Sequence, residues 1–517
     1  MHELSPKLIF PPLLARLNIE LLPKLTFFTT FGKFKYGTMA DIIGRNIEQD
    51  ILNSLYNSKK SEFIAIYGRR RIGKTFLIRE MFKDRFAFYH TGLSPFELKG
   101  KKLLTEQLHN FALSLARYGF RNTTVPTGWM EAFNLLIELL ESKGKESRQV
   151  VFLDEVPWMD THRSGFITAL EHFWNGWGAG RDNLMLIVCG SATSWINDNL
   201  INNTGGLYGR LTKHICLSPM TLAETEELFE SHNIRMDRYD IVQSWMIFGG
   251  IPYYLSSLTK ERSLAQNVDD LLFRRGSGLA DEFDRLFNSL FVNPEDYKRI
   301  VRFLSTSNSG YTREEIAAKA SSSGGGLTKI LRVLKENGFI SAFQDFSGRS
   351  KDLRYRLTDP FCMFYLKFID GHRTNDEAFW ENSQFLPGIN AWRGLAFENV
   401  CFAHIRQIKA ALGISGVRTE VFSWIFSGDD EHDGAQIDML IDRADRIINL
   451  CEIKFSIAEY TITKDYDRKL RQRLQTFFEV VHPKKTIHQT FITTYGLRSN
   501  EYSGKVQSVI TMDDLFR

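Results

Sequence analysis

The sequence predicts an α/β protein in which a parallel β-sheet with helices on both faces is followed by smaller modules. Residues 68–75 read G-x-x-x-x-G-K-T between an apolar, strand-like run and a helical run. Residues 149–155 and 184–191 are almost continuously apolar, as in strands buried on both faces of a parallel sheet. Near the C-terminus, two more apolar runs contain charged residues at alternating positions, which is typical of half-buried strands.

Length and composition limit the class of protein. A chain of 517 residues is too long for one hydrophobic core, so we expect two to four domains. The net charge is only +4, and any nucleic-acid surface must therefore be a local patch. Five single cysteines without a C-x-x-C pair favour a reducing cytoplasm and argue against a structural zinc site. No apolar run reaches the about 18 residues that a membrane span needs, and we expect no membrane partner.

Residues 1–38 make a poor signal peptide, because Pro11, Pro12 and Pro23 interrupt their apolar runs. Met39 stands directly before a plausible domain start. We therefore expect residues 1–38 to be a translational extension or a poorly packed tail.

Strands and helices alternate regularly from residue 39 to residue 217, the predicted nucleotide-binding core. Periodicity and turn signals predict helices at 46–56, 76–82, 96–118 and 129–142, and strands at 63–67, 85–90, 149–155, 184–191 and 214–217. Residues 221–290 become helical, interrupted by Gly249-Gly250-Ile251-Pro252. This pattern predicts a five-stranded core with a helical lid, the lid spanning residues 218–295.

The loop at 68–75 has the composition of a phosphate-binding loop. Its members are Gly68, Arg69, Arg70, Arg71, Ile72, Gly73, Lys74 and Thr75, followed by Phe76. The glycines let backbone N–H groups close on phosphate oxygens, and the helix N-terminus adds positive dipole. We expect Lys74 to reach the β- and γ-phosphates of ATP and the Thr75 hydroxyl to ligate Mg²⁺. The three arginines could add charge around the phosphates, or face the lid or a neighbouring subunit.

The strand at 149–155 ends in the acidic pair Asp154 and Glu155. We expect Asp154 to hold Mg²⁺ through water and Glu155 to polarise the attacking water as general base. The alternative is a buried strand that ends in a solvated acidic turn.

Three polar residues later in the core have two interpretations each. Ser191 and Thr193, at the tip of the 184–191 strand, could sense the γ-phosphate or cap the next helix. Arg210 could stabilise transition-state charge, in its own subunit or in a neighbouring one, or be a surface arginine.

Together these motifs resemble those of the archaeal-type ATPases, P-loop proteins related to the AAA+ and STAND groups. The resemblance rests on the loop, on Asp154-Glu155, on Gly190-Ser191, on Ile43-Gly44-Arg45 and on the Gly-Gly-Ile-Pro turn. It covers roughly residues 40–370. By this resemblance Gly44 and Arg45 would lie near the adenine, and Pro252 in the lid would close over it. From the residues alone, Gly44-Arg45 could equally be a turn before a helix.

Residues 296–375 predict a winged helix. Tyr311-Thr312 begins a helix with a threonine cap, 321–326 is a flexible turn, and 327–334 is the second helix of a helix-turn-helix. The side chains expected to face DNA are those of Thr328, Lys329, Arg332 and Lys335 on that helix. The wing, with Arg349 and Lys351 at its tip and Arg354 and Arg356 on its return strand, is expected to lie on the phosphates. The alternative is a winged helix used only as a protein–protein adaptor.

Residues 376–517 resemble the PD-(D/E)xK nuclease superfamily, a restriction-endonuclease-like α/β fold. The matching residues are Asp438 on one strand and Glu452-Ile453-Lys454 on the next; Ile437 replaces the proline. Asp438 faces Glu452 only if the intervening turn has an odd number of residues, centred on Asp445, or if a bulge intervenes.

The resemblance implies a role for each residue of this constellation. Asp438 and Glu452 would bind one or two Mg²⁺, with Glu398 from a preceding helix completing the set. Lys454 would orient the water or stabilise developing charge. A basic helix follows, with Lys464, Arg468, Lys469, Arg471 and Arg473. The alternatives are a solvated hairpin of alternating charge, or a nuclease fold that has lost catalysis.

The sequence therefore predicts a cytoplasmic ATPase whose nucleotide state controls a DNA-binding C-terminal half with possible metal-dependent nuclease activity. DNA is the expected partner, and homo-oligomers are possible. The other function to consider is a STAND-like signalling switch, in which ATP is a conformational ligand and the C-terminal module is an inactive binding platform.

Overall fold

The computed structural model describes residues 42–95, 101–120, 124–319, 324–344, 346, 353–371 and 376–517. The predicted extension at 1–38 lies outside the described residues, as do Arg349 and Lys351 of the predicted wing. Residues 42–517 form one compact unit. The predicted borders between modules therefore stay predictions.

The N-terminal part of this unit is the predicted α/β core. Its elements are α1 (Asn46–Tyr56), β1 (Glu62–Tyr67), α2 (Lys74–Phe82), β2 (Phe86–Thr91), α3 (Lys101–Arg117), α4 (Trp129–Ser142), β3 (Gln149–Asp154), α5 (Val156–Met159), α6 (Phe166–Gly176), β4 (Leu184–Gly190), α7 (Thr193–Ile196) and β5 (Lys213–Cys216). The five strands form one parallel sheet in the order β2-β3-β4-β1-β5. The predicted parallel sheet is confirmed, with β2 one residue later than expected.

Both faces of this sheet are buried, which explains its continuous apolar runs. Ile64 and Ile66 of β1 belong to the apolar cluster that contains α2 and the helices after β5. Phe63 and Ala65, on the opposite face, pack with α3, α4 and α6. Because alternate residues of a strand point to opposite faces, a strand covered on both sides must be apolar at every position.

Helices follow β5, as predicted for the lid. They are α8 (Leu222–Ser231), α9 (Arg238–Phe248), α10 (Pro252–Leu255), α11 (Leu264–Val268) and α12 (Glu282–Leu290). The Gly-Gly-Ile-Pro turn joins α9 to α10. A Cβ on Gly250 would lie 2.4 Å from the backbone oxygen of Met220, and its φ is +65°. Only glycine fits this close approach, which fixes the turn against the segment after β5.

The next elements form a small helical module with a three-stranded sheet. They are α13 (Pro294–Leu304), β6 (Tyr311–Thr312), α14 (Arg313–Lys319), α15 (Gly324–Glu336), β7 (Ile340–Phe343), β8 (Arg354–Leu357) and α16 (Pro360–Phe368). The strands are antiparallel, in the order β6-β8-β7. The predicted threonine cap is present, because Thr312 Oγ1 accepts from the Glu315 N–H at 3.2 Å, and Tyr311-Thr312 also form a short strand. One prediction is corrected, since α15 begins at Gly324 inside the predicted flexible turn.

The C-terminal part is a second α/β assembly. It contains α17 (Phe379–Ser383), α18 (Pro387–Ala403), α19 (Ile405–Ala411), β9 (Thr419–Phe426), β10 (Ala435–Arg443), β11 (Ile447–Lys454), α20 (Lys464–Val481), β12 (Thr486–Thr493) and β13 (Ser508–Thr511). Its mixed sheet has the order β13-β12-β11-β10-β9. The pairs β9–β10 and β10–β11 are antiparallel, and the pairs β11–β12 and β12–β13 are parallel.

The β10–β11 pairing satisfies the register condition set by the sequence. The pairing runs from Asp442–Ile448 to Met439–Cys451 and ends one residue before Asp438 and Glu452, in the register that would continue to that pair. In its pairing with β9, strand β10 is irregular between Ile437 and Leu440. The connecting turn, residues 444–446, is centred on Asp445. A turn of one residue more or fewer would have put the two carboxylates on opposite faces.

Three arginines of the predicted winged helix have partners within the chain. Arg332 on α15 forms a two-pronged ion pair with Asp198, at 2.7 and 3.0 Å. Arg354 donates to the carbonyl oxygens of Ser309 and Gly310. Arg356 donates to Asn399 Oδ1 on α18. Contact of the helix and of the wing with DNA stays a prediction.

Within the described residues, no helix is both long and apolar enough to cross a membrane.

Candidate functional site

The phosphate loop has the backbone that its glycines predict. Gly68 and Gly73 have φ of +137° and +93°, in the region that favours glycine. A Cβ on Gly68 would lie 2.5 Å from the backbone oxygen of Leu217, so the loop packs directly against the chain after β5. Gly73 caps α2, whose N-terminus faces into the loop. This is the geometry in which backbone N–H groups and the helix dipole receive an anion.

Lys74 and Thr75 lie at the positions expected of them. Lys74 is buried, and its Nζ donates to the carbonyl oxygens of Gly68 and Arg69, at 2.9 Å each. The Thr75 hydroxyl donates to Asp154 Oδ2 at 3.0 Å. The loop and the end of β3 thus bring together a hydroxyl and a carboxylate, both of the oxygen type that Mg²⁺ prefers.

Asp154 and Glu155 have distinct environments. Burial, followed by the charge of Glu155, raises the pKa of Asp154 to about 6, and the Thr75 hydrogen bond opposes this rise. A nearby cation would stabilise the ionised form of such a buried carboxyl strongly. Glu155 has a left-handed backbone with φ of +54°, and its Oε2 accepts from the backbone N–H and the hydroxyl of Ser191, both at 3.0 Å. The alternative of a solvated acidic turn does not fit these contacts.

Ser191 therefore contacts the candidate base rather than capping a helix. The residue that precedes α7 is Ala192, without a side-chain cap. The Thr193 hydroxyl is buried and has no hydrogen-bond partner among the described residues. The roles of both hydroxyls toward a γ-phosphate stay predictions.

Gly44 and Arg45 form a turn before α1 and also contact the loop. Both have positive φ, and the Arg45 backbone N–H donates to Glu224 Oε1 at 2.8 Å. The Arg45 guanidinium donates to the carbonyl oxygen of Ile72 at 3.4 Å. This turn thereby ties the loop to α8 of the lid, while its proximity to adenine remains an expectation.

The first loop arginine points toward the middle of the chain. Arg69 is buried, pairs with the carboxylate of Asp359 at the start of α16, and lies over the ring of Phe339 at 5.1 Å. Asp359 is itself buried and accepts from the backbone N–H of Cys362 at 2.8 Å, so it also caps α16.

The other two loop arginines point toward the lid. Arg71 pairs with buried Glu282 at 2.7 Å and lies over the ring of Tyr253 at 4.2 Å. Arg70 donates to the carbonyl oxygen of Ser289 at 3.4 Å. All three loop arginines therefore contact other elements of the same chain, and Arg70 and Arg71 face the lid, which is one of the possibilities that the sequence left open.

The remaining predicted nucleotide contacts lie around the entrance of the loop. Pro252 starts α10 and is half-buried; Tyr253 beside it and Phe76 after the loop are about half exposed, at 50% and 48%. Arg210 is exposed in the turn before β5. In the part of the chain that the structure describes, no contact joins Arg210 to the loop, so its catalytic role stays a prediction.

A second cluster of ionisable side chains surrounds Glu452 on β11. Its oxygens accept from Lys454 Nζ at 2.6 Å, from Arg473 Nη1 at 2.8 Å and from the Tyr466 hydroxyl. Ile448 and Leu450, on the same face of β11, pack in one cluster with Phe477 of α20, which explains why α20 reaches this carboxylate. Burial raises the pKa of Glu452, but Lys454 and Arg473 outweigh it and hold that pKa below its ordinary value.

The pKa values of the two neighbouring carboxyls, Asp438 and Glu398, are raised rather than lowered. Burial and the charge of Glu452 raise the pKa of Asp438 to about 6, although its Oδ2 accepts from the Ile453 N–H at 3.1 Å. Burial and the charge of Asp438 raise the pKa of Glu398 to about 8. Asp438, Glu398 and Glu452 therefore interact electrostatically, as a site for a cation requires.

The three carboxyls do not yet form a metal site. Among the described residues, no group of three or more His, Cys, Asp or Glu side chains is arranged to hold a metal ion. The two oxygens of Glu452 accept from Lys454, Arg473 and Tyr466 instead.

Two members of this cluster were missed by the sequence reasoning. Tyr466 was not considered, and Arg473 was counted only as part of a basic helix. A signal was present, because two residues seven apart on a helix share a face, and α20 directly follows β11. Arg356, on the return strand of the predicted wing, donates to Asn399 Oδ1 at 3.2 Å, beside Glu398 on α18.

Comparison with known proteins gives one family match. Residues 43–258 match the family model described as an ATPase domain predominantly from Archaea. An uncharacterised protein of Methanocaldococcus jannaschii is 24% identical over 406 residues, which are 77% of this chain and 83% of that protein.

Solved structures that align with part of the chain include one protein of Pyrococcus abyssi and one of Aeropyrum pernix. The Walker-type ATPase of Pyrococcus abyssi is 19% identical and aligns with 63% of this chain and 97% of its own, at a TM-score of 0.44. The ORC2 protein of Aeropyrum pernix is 14% identical and aligns with 65% of this chain and 96% of its own, at a TM-score of 0.39. The family match, the loop, the Thr75–Asp154 contact and the parallel sheet lead to one conclusion: residues 43–258 form an ATP-binding ATPase domain.

Proposed function

We propose that this protein binds and hydrolyses ATP, and that its nucleotide state controls a C-terminal module that binds DNA and cleaves it with a divalent metal. The observation that supports the C-terminal half of this proposal is the β10–β11 register, whose last pair, Met439–Cys451, directly adjoins Asp438 and Glu452. Asp438 also interacts electrostatically with Glu452 and Lys454. The ATPase half rests on the loop and the end of β3.

In the ATPase reaction each side chain has a distinct task. Lys74 would bind the β- and γ-phosphates, and Thr75 with Asp154 would hold Mg²⁺, which neutralises phosphate charge. Glu155 would take a proton from the attacking water. Ser191 would orient Glu155, since its N–H and hydroxyl both donate to one carboxylate oxygen.

The donor chemistry of the second site suits a hard divalent cation. Asp438, Glu398 and Glu452 supply oxygen ligands, and a bound metal would provide hydroxide and electrostatic stabilisation for phosphodiester cleavage. For Glu452 to become a ligand, Lys454 and Arg473 must exchange their present contacts with it. Lys454 would then be free to stabilise developing negative charge.

The elements around this site support a DNA-facing role. The sequence α13, β6, α14, α15 and a β7–β8 hairpin has the element order of a winged helix. Lys329 and Lys335 are exposed on α15, and Lys464, Arg468 and Lys469 are exposed on α20. Contacts of such side chains with phosphates would make binding fall steeply as salt is raised.

One observation favours a second function. Glu452 is fully paired with Lys454, Arg473 and Tyr466, and Arg332 of α15 is paired with Asp198. Both contacts are compatible with a STAND-like switch, in which ATP is a conformational ligand and the C-terminal module binds a partner without cutting it.

A nuclease assay distinguishes the two functions. Linear and supercoiled duplex DNA is incubated with the full chain, ATP, and Mg²⁺ or Mn²⁺, and nicks are scored on gels. Cleavage is expected for the wild type and for the matched control Glu459→Ala, whose side chain is exposed in the same module. It should be lost in Glu452→Ala and Lys454→Ala, and persist with altered ATP dependence in Thr75→Ala. Equal behaviour of wild type and Glu452→Ala would remove the nuclease function and leave the switch.

A further inference from the structure

Strand β8 and the turn after it touch both candidate sites. Asp359 pairs with Arg69 of the phosphate loop. Arg356, three residues earlier, donates to Asn399 on α18, the helix that carries Glu398. One short segment, residues 356–359, thus joins the ATPase loop to the carboxylate cluster.

The contact with the loop is a buried ion pair. Arg69 and Asp359 are 7% and 1% exposed, so neither charge can be left to water if the pair separates. Breaking such a pair by removing one partner is costly, because the other charge stays buried and uncompensated. Asp359 must therefore follow Arg69 when the loop moves, and the start of α16, which Asp359 caps, moves with it.

Lys74 makes Arg69 responsive to phosphate. Its Nζ donates to the carbonyl oxygens of Gly68 and Arg69, at 2.9 Å each. Phosphate oxygens are charged and form stronger hydrogen bonds with an ammonium group than neutral carbonyls do. A bound triphosphate therefore competes with Arg69 for Lys74, at the residue whose side chain holds Asp359.

Arg356, at the other end of the segment, lies beside aromatic rings and acidic side chains. The Arg356 guanidinium lies 5.3 Å from the ring of Phe402 on α18 and 5.7 Å from that of Phe343 on β7. It also interacts electrostatically with Glu398 and Asp438. Arg356 thus contributes positive charge to the carboxylate cluster from a different module.

A cavity beside the segment gives it room to shift. Its volume is about 370 Å³, and its lining includes Gly68, Arg69, Arg356, Asp359 and Asn399. The Nε atoms of Arg69 and Arg356 are both buried and find no hydrogen-bond partner among the residues that the structure describes. Guanidinium groups with unused donors beside open space can exchange partners at little cost in hydrogen bonds.

We propose that Arg356 is a positioning residue for the Glu398–Asp438 pair, and that residues 356–359 carry the nucleotide state of the phosphate loop to it through the Arg69–Asp359 ion pair. This inference rests on the proposed ATP control of the C-terminal module, and it supplies the residues that exert that control. Because coupling between two sites is reciprocal, ligands of the C-terminal module should change ATP affinity by the same route.

Amide hydrogen exchange on the full chain tests the route without relying on cleavage. Exchange is followed with and without a non-hydrolysable ATP analogue and Mg²⁺. In the wild type, the analogue should change exchange in the loop, in peptides covering 356–363, and in peptides covering 394–403 and 436–454. In Asp359→Asn and Arg356→Gln the loop response should remain and the response at 394–403 and 436–454 should be lost.

The variants are chosen to separate the route from simple loss of structure. Asparagine retains an oxygen to cap α16, so Asp359→Asn removes mainly the charge. Arg354→Gln is the matched control, since Arg354 lies on the same strand but pairs with Glu315 and the 309–310 carbonyls. Arg356→Lys keeps the positive charge and should restore part of the distal response that Arg356→Gln loses.

Each result has a separate meaning. A distal response that survives in both Asp359→Asn and Arg356→Gln, or is lost equally in Arg354→Gln, would overturn the inference. A loop response in the wild type with no distal response would also overturn it and leave ATP binding intact. No loop response at all would remove the proposed ATP control itself, and the inference with it.

Discussion

At the scale of single residues, the candidate base of the ATPase is oriented by its neighbours. Glu155 departs from β3 in a left-handed conformation and directs one oxygen to two donors of Ser191. Asp154, one residue earlier, instead accepts a hydrogen bond from the Thr75 hydroxyl. Two adjacent carboxyls thus receive different partners, which is what the proposed roles of Asp154 as metal ligand and Glu155 as base require.

Lys74→Ala should weaken ATP binding by roughly ten- to a hundredfold, since hydrogen bonds to charged groups contribute about 1.5–3 kcal/mol. Titration of a fluorescent ATP analogue measures the affinity. Lys83→Ala, which removes an exposed lysine just after α2, is the control and should bind as the wild type does. Unchanged affinity in Lys74→Ala would refute the assignment of this lysine.

Glu155→Gln should bind ATP normally and lose hydrolysis by about 10²–10⁴-fold, the usual contribution of a general base. Glutamine keeps an oxygen for the Ser191 donors but cannot take the proton. Phosphate release under saturating ATP measures the rate, with Glu138→Gln on the exposed side of α4 as control. Turnover close to that of the wild type would assign the base to another group.

At the scale of elements, His404 connects the end of α18 to the start of α8. Its Nε2 accepts from the Leu222 N–H at 3.0 Å, and its Nδ1 is 2.8 Å from the Val400 carbonyl oxygen, which identifies the neutral ring with its proton on Nδ1. Burial lowers the pKa of His404 to about 4, against smaller opposing effects of Val400 and Glu224. This lid helix and this C-terminal helix are therefore joined through an imidazole that must stay neutral.

The contribution of His404 to the stability of the protein should consequently fall as the pH is lowered from about 6.5 toward 4. In that window the unfolded chain binds a proton at His404 and the folded chain does not, so acidification favours unfolding, by roughly 3 kcal/mol for this group. The stabilisation is fully present above pH 6.5. Urea midpoints at pH 7.5, 6 and 4.5 measure it.

His404→Gln should gain stability relative to the wild type as the pH is lowered through this window. His109→Gln, which removes an exposed histidine of α3, should keep the pH dependence of the wild type. If His404→Gln and the wild type lose stability in parallel, His404 is not the titrating group.

At the scale of the whole molecule, the lid is part of the C-terminal half's core. Residues 241–248 of α9 are all buried, which for a helix requires neighbours on every side. The covering helices include α16 and α18 from the C-terminal half. Trp245, for example, lies 5.3 Å from the His404 ring. An ATPase domain that ends before α13 would lack this cover.

A fragment of residues 42–290 should therefore expose apolar surface, although it contains the matched ATPase stretch. We expect it to aggregate or bind a hydrophobic dye, and its tryptophan emission should shift to the red relative to residues 42–517. Analytical ultracentrifugation and fluorescence measure these effects. A monomeric fragment with blue-shifted emission and normal ATP binding would contradict the expectation.

The amino-acid sequence by itself determined the nucleotide-binding core and the strand pair behind the second site. Glycines with positive φ, an acidic pair at a strand end and fully apolar strands are local signals, because each reflects the conformation or burial of its own segment. The odd turn centred on Asp445 belongs to the same class, since side-chain alternation along a strand fixes which residues can face each other.

Only the tertiary structure decided where the long cationic side chains go. Arg69, Arg356 and Arg473 all belong to stretches that look basic in sequence, yet they meet Asp359, Asn399 and Glu452, each at least 21 positions away. Nothing local to an arginine distinguishes a phosphate, a DNA backbone or a carboxylate on another element as its partner. That choice depends on which elements pack together, and the packing of α9, α16 and α18 into one core brings the two candidate sites within reach of a single short segment.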